Sequence, residues 1–376
     1  MKLSLHGRVG AVALVGALAL SLAACGSDDP IGDATGSSTT DAATPGTEAP
    51  ASTLSGELSG AGSSAQEKAM DAWRAGFQSA NPDVTVNYDP VGSSGGRQQF
   101  IDGGIAWAGS DSALKPEEIE SAAARCDAVD VPVYVSPIAI AFNLDGVTSL
   151  NLTAETVAKI FRGEITSWDD AAIKADNPDA ALPALAITPV HRADGSGTTK
   201  NFTDYLKQAS NGVWTDDPAD DWPLQGGENG TGTSGLVQAV QAAQGTIGYA
   251  DESGVPAGLG KVSVKVGDAF VAPGADSAAA ALAASPLDDT RGEHDIAVKV
   301  DRTTTAAGAY PVILVSYAIA CLSYDDQATA DLVKGLLGYV VSDEGQAAAQ
   351  SAAGSAPLPA ELATAAQATV DAITVG

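Results

Sequence analysis

From position 54 onward, short apolar runs alternate with stretches whose apolar residues recur every three to four positions. This is the pattern of strands interleaved with amphipathic helices. The apolar runs at 84–88, 105–108, 133–142, 186–190, 247–250 and 312–320 predict strands. Helical spacing predicts helices over 65–79, 96–102, 154–161, 198–208, 236–244 and 328–341. Alternation of this kind implies an α/β fold with largely parallel sheets. The stretch 54–376 exceeds one comfortable core, so two lobes are expected.

The N-terminal pattern is different. Lys2 and Arg8 precede an apolar run at 9–20. That run is shorter than the roughly 20 apolar residues of a membrane span. Residues 1–24 therefore read as a signal peptide. Its end, Leu22-Ala23-Ala24-Cys25, resembles the bacterial lipobox, which implies a lipidated Cys25 as the first mature residue. A signal in which Cys25 falls by chance is the plainer alternative. Several acyl chains would hold the protein stably where a single one is marginal. Residues 25–53 read as a disordered tether, because Ile31 is their only large apolar residue. A flexible coil of that length spans about 30 Å. The expected location is extracytoplasmic, anchored to the cell membrane by lipid on Cys25.

Charge narrows the partners. The 19 Lys+Arg stand against 47 Asp+Glu, a net charge of −28. Without Lys2 and Arg8 the balance is 17 against 47, or −30. No basic cluster is present, which excludes nucleic acid as a partner. The same charge argues against an anionic ligand unless recognition is strictly local. Cys126 and Cys321 in an exported chain suggest one disulfide, with two buried free thiols as the alternative.

Three glycine- and serine-rich segments open predicted helices: Gly60-Ala61-Gly62-Ser63-Ser64, Gly92-Ser93-Ser94-Gly95-Gly96 and Asp194-Gly195-Ser196-Gly197-Thr198-Thr199. Helix N-termini present unpaired amides and partial positive charge, and glycine lets a ligand come close to them. Each segment alone is weak evidence, since Ser64-Ala65-Gln66-Glu67 also fits a capping box. Arg192 precedes the third segment and can offer a bidentate fork to an oxyanion, although a surface pair with Asp194 is the plainer reading. Asp111 follows a predicted strand. It could accept a hydrogen bond from a protonated anion and repel one without a proton, or it could be a cap or loop acid.

Other strings carry less. Gly230-Thr231-Gly232-Thr233-Ser234-Gly235 satisfies G-x-G-x-x-G, but the polar residues 225–229 stand where a strand should precede it, so it reads as a chance match. Residues 195–200 lack the spacing of a P-loop. His191 and His294 show no zinc spacing, and no nucleophile has an evident base. Neither a metal, a cofactor nor an enzymatic activity is expected.

Taken together and in order, these segments resemble the periplasmic phosphate-binding proteins, the substrate-capturing component of the ABC-type phosphate importer. Further matching motifs are Gly109-Ser110-Asp111, Gly245-Thr246-Ile247-Gly248-Tyr249 and Tyr310-Pro311. The resemblance implies an α/β, two-lobed type II periplasmic-binding-protein fold that closes on one orthophosphate about a hinge of two crossing strands. It places lobe 1 at 54–141 plus 310–376 and lobe 2 at 142–309. Carried over, the phosphate-binding set is Ser64, the Ala65 amide, Ser93, Asp111, Arg192 with its orienting Asp194, and Ser196, Gly197 and Thr198. The family commonly has Thr then Phe where this chain has Ser64 then Ala65, so a hydroxyl is kept and an aromatic wall lost. The implied partners of this monomer are inorganic phosphate and the membrane permease and ATPase subunits of the importer. A receptor for another tetrahedral oxyanion and an extracellular phosphoester hydrolase are the alternatives.

Overall fold

The computed structural model describes residues 53–376; the expected signal peptide, Cys25 and the tether through residue 52 lie outside the described residues. In chain order the first elements are β1 (Gly56–Gly62), α1 (Glu67–Ala80), β2 (Val84–Asp89), α2 (Ser93–Ile101), β3 (Trp107–Ser110), α3 (Pro116–Ala122) and β4 (Ala128–Phe142). Then come β5 (Ser149–Leu152), α4 (Ala154–Phe161), α5 (Ala171–Asp176), β6 (Thr188–Arg192), α6 (Gly197–Ala209), β7 (Glu228–Gly230), α7 (Gly232–Ala242) and β8 (Thr246–Asp251). The chain ends with β9 (Gly260–Val266), β10 (Ala269–Val271), α8 (Ala275–Ala283), β11 (Ile313–Cys321), β12 (Ser323–Tyr324), α9 (Gln327–Val341), α10 (Asp343–Ala353), α11 (Ala360–Asp371) and β13 (Thr374–Val375).

The main sheet runs β2-β1-β3-β11-β4-β8-β6-β7, with β9 pairing β4, β5 and β10. Its centre is β4, a strand buried along its whole length, as a near-continuous apolar run should be. Residues 128–137 of β4 pair antiparallel with β11, and residues 138–142 pair antiparallel with β8. The sheet therefore consists of two half-sheets that change over between Pro137 and Ile138. The return crossing lies just before β11. There the Tyr310 hydroxyl donates to the Ile138 carbonyl at 2.9 Å, and the buried Arg302 guanidinium donates to the carbonyls of Pro311 and Ile313 at 2.9 and 2.8 Å.

The sheet is mixed rather than largely parallel. The β1–β2, β1–β3, β6–β7 and β6–β8 pairs are parallel as expected. However, β11 runs antiparallel to β3 and β4, and β4 antiparallel to β8. The reason is topological: β4 carries the chain out of the first half-sheet and β11 brings it back, so the two run past each other in opposite directions. A disulfide joins Cys126 to Cys321 across 195 residues of sequence, with Cα atoms 5.6 Å apart. It ties the outer end of this pair, where Cys321 lies opposite Ala128.

Candidate functional site

The loops that leave the strand ends converge at the junction of the half-sheets, where open α/β sheets place their ligands. After β1 come Ser63, Ser64 and Ala65; α2 begins at Ser93; Asp111 follows β3; Arg192 ends β6; and Ser196 is the N-cap of α6. Two glycines permit the close approach. Gly92 has φ 92°, and a Cβ there would lie 2.6 Å from Asp194 Oδ2. At Gly197 a Cβ would lie 2.8 Å from both Asp111 Cβ and Ser93 Oγ.

Asp111 is only 2% exposed. Ser63 and Ser316 donate to its Oδ1 at 2.5 and 2.8 Å, and Thr198 donates to its Oδ2 at 3.0 Å. Its own N–H donates to Ser93 Oγ at 3.1 Å. Burial pushes the Asp111 carboxyl above its ordinary pKa, while the three hydroxyls and the charge of Arg192 pull it part of the way back. Asp111 is thus a buried acceptor at the centre of the cluster, not a helix cap.

Arg192 is 3% exposed and grips Asp194 bidentately, through Nε to Oδ1 at 2.7 Å and through Nη2 to Oδ2. The pairing with Asp194 is real, but it is buried rather than at the surface. Burial raises the Asp194 pKa, but the Arg192 fork and the Gly232 amide, 2.9 Å from Oδ1, outweigh it and hold the carboxyl below its usual range. Nη1 of Arg192 has no hydrogen-bond partner among the described residues.

Ser64 does not form the capping box. Gln66 is the N-cap of α1 and makes no side-chain cap bond, while Ser64 Oγ accepts the Thr233 N–H at 3.0 Å. The Ala65 amide donates to Ser63 Oγ at 3.0 Å. Ser196 caps α6 by accepting the Thr199 N–H at 3.3 Å, so its hydroxyl is held beside the amides of Gly197 and Thr198.

Sequence reasoning missed several participants. Ser63 and Ser316 hold Asp111, and Asn201 ties the third loop to it by donating to the carbonyls of Asp111 and Gly197 at 2.6 and 2.9 Å. Gly232 and Thr233 open α7, a fourth glycine-rich helix start whose amides reach Asp194 and Ser64. A strand does precede it: β7 pairs parallel with β6, Gly230 opposite Arg192. At three residues of exposed edge, β7 is too short and polar for an apolar pattern to reveal, yet the fourth glycine-rich start was visible in the sequence.

The family model described as the PBP superfamily domain matches residues 47–344. The phosphate-binding protein PstS3 of Mycobacterium bovis is 34% identical over 385 residues, covering 99% of this chain and 100% of that protein. The chain belongs to the phosphate-binding protein family. A second member, phosphate-binding protein PstS 2 of Mycobacterium tuberculosis, is 32% identical over 324 residues, covering 84% of this chain and 87% of its own. Among solved structures, a high affinity periplasmic phosphate-binding protein bound with phosphate aligns with a TM-score of 0.65 at 21% identity, over 83% of this chain and 93% of that one. The shared architecture is the type II periplasmic-binding-protein fold. Ala65, in the loop after β1, is buried.

Proposed function

We propose that this protein captures inorganic phosphate outside the membrane and delivers it to the permease and ATPase subunits of an ABC importer, without covalent chemistry. The carrying observation is the convergence of Arg192, oriented by Asp194, with the buried acceptor Asp111 among the N-termini of α2, α6 and α7. Such a site meets the oxygens of the anion with amides, hydroxyls and one guanidinium, and meets its proton with a carboxylate.

In this reading the ligand set is the one expected from the family pattern. Ser64, Ala65, Ser93 and Asp111 belong to lobe 1 (54–141 plus 310–376), and Arg192 to Thr198 belong to lobe 2 (142–309). The crossings at 137–138 and 310–313 act as the hinge, and phosphate favours closure because only the closed form contacts it from both sides. Lipid on Cys25 holds the monomer at the membrane.

The test is calorimetric titration with phosphate, arsenate and sulfate near neutral pH. Arsenate should compete with phosphate. Sulfate, fully ionised, has no proton for Asp111 and should not bind; sulfate binding as tight as phosphate refutes the reading.

A further inference from the structure

The second and third loops are joined by a buried ion pair that lies behind the anion site rather than in it. Arg97, on α2, is 1% exposed, and its guanidinium is fully engaged. Nε donates to both oxygens of Glu118 at 3.0 Å, and Nη1 donates to the hydroxyls of Ser110 and Ser112 at 2.9 and 3.1 Å. These partners all lie on the first half-sheet's side of the cleft. Nη2 alone reaches across, donating to Asp220 Oδ2 at 2.8 Å. Lys115 Nζ meets the same oxygen at 2.8 Å, while Oδ1 is buried without a partner. Asp220 also fixes the third loop, because its carbonyl accepts the Ser196 N–H at 2.9 Å. Arg97 in turn touches the second loop, with Nη2 3.4 Å from Ser94 Oγ.

We propose that Arg97 and Asp220 form a cross-cleft latch that positions the second and third loops together and sets how long the closed, phosphate-bound form lasts. This rests on the lobe-closure reading above. Opening leaves Arg97 with Glu118, Ser110 and Ser112, so the first side keeps its fold. What opening removes is the Asp220 contact. Burial lowers the pKa of Lys200, on α6, and Arg97 and Lys115 add to that effect while Asp220 and Glu118 oppose it. Asp220 is therefore the acid that meets both Arg97 and Lys115 directly, and neutralising it leaves Glu118 alone to offset the three cations at the joint.

The experiment is a double-mutant cycle with Asp220→Asn, Arg97→Gln and the double variant. Phosphate association and dissociation are followed by stopped-flow tryptophan fluorescence, and the stability of each phosphate-free protein is followed by urea unfolding. The latch predicts that Asp220→Asn raises the dissociation rate at least tenfold, changes association by less than about threefold, and leaves ligand-free stability nearly unchanged. The double variant should dissociate no faster than the faster single one. Should Arg97→Gln fail to fold, the dissociation rate of the isosteric Asp220→Asn still decides. Phosphate dissociation unchanged in Asp220→Asn, or single effects that multiply in the double variant, would overturn the latch while leaving the phosphate reading intact. If the wild-type protein binds no phosphate at all, that reading falls and the latch with it.

Discussion

Replacing Asp111 by Asn alters one atom at the most informative position in the site. Two hydroxyls, Ser63 and Ser316, donate to Oδ1, whereas Thr198 alone donates to Oδ2. The amide oxygen of Asn therefore takes the Oδ1 position, and its NH2 takes the Oδ2 position, with Thr198 able to turn and accept from it. An acceptor becomes a donor on the side left for the ligand. Phosphate near neutral pH carries at least one proton, and its bond to a carboxylate is charge-assisted, worth about 1.5–3 kcal/mol. Losing it weakens phosphate by roughly 10- to 150-fold. Sulfate should respond in the opposite direction, because the repulsion between carboxylate and oxyanion is replaced by a donor. Calorimetric titration of both anions into wild type and Asp111→Asn reads both changes. Stability is the control: burial already penalises the Asp111 charge, so the neutral isostere should unfold no earlier than wild type in the absence of ligand. Phosphate affinity unchanged, with sulfate still excluded, would refute the argument that Asp111 reads the proton.

Arg192→Ala should weaken phosphate by about 2–5 kcal/mol, the usual effect of truncating one member of a buried charge pair, and unchanged affinity in the same titration would remove Arg192 from the site. Asp251, wholly buried, lies within reach of the Tyr134 hydroxyl and is hydrogen-bonded by Ser253; burial pushes its pKa up to about 7 against the pull of Ser253 and Ser136, and nearby Asp111 adds to the rise. Between the ordinary carboxylate value and about 7 the native state keeps a proton that the unfolded chain has lost, so this group lowers stability as pH rises through that window, by of order 4 kcal/mol in full. Asp251→Asn should flatten that slope in urea unfolding between pH values of about 5 and 8, and parallel profiles would contradict it. Paired Cys126→Ser and Cys321→Ser substitutions should cost about 2–5 kcal/mol of stability, since the bridge closes a very long loop; urea midpoints indistinguishable from wild type would show that the disulfide contributes nothing.

The legible parts of the fold were those where one local pattern was enough. The runs at β8 and β11 are apolar through most of their length and β2 alternates apolar with polar residues, and the structure moves the ends of all three by one residue at most. The start of β4 is less marked than its end, because Asp130 and Pro132 interrupt a run of strand character that extends from Val129 to Phe142. Asp130 is tolerated there because the Leu114 amide donates to both of its oxygens and Arg291 stands beside it, partners that no sequence spacing predicts. β1 was missed because Gly56 to Gly62 offers a single large apolar residue, Leu58, and its strand character comes from pairing on both sides with β2 and β3. α10 and α11 are rich in alanine, so their patterns have little contrast. α10 is held in part by Trp73, whose Nε1 donates to Gly345 at 2.8 Å. The candidate site divides in a similar way: the glycine-rich segments were visible, but which of their residues turn toward one another was not, as Ser63, Gly232 and Thr233 show, and Ser316 comes to Asp111 from 205 positions away by the pairing of β11 with β3.

The acidity of the chain and its proposed anionic ligand are compatible because the site acids are already engaged. The charge of Asp194 is taken up by Arg192 and the Gly232 amide, and that of Asp111 is spread over three hydroxyls. Many of the remaining carboxylates lie on the surface, where salt screens them beyond about 8 Å under physiological conditions. A buried set of donors is screened far less. An arriving anion would therefore feel the net charge of −28 mainly as a weak long-range repulsion, and at contact distance it would meet helix amides, hydroxyls and a guanidinium. In the proposed site Asp111 would turn its acidity into selectivity, because an anion that brings a proton would gain a bond there and one without a proton would meet a charge of its own sign.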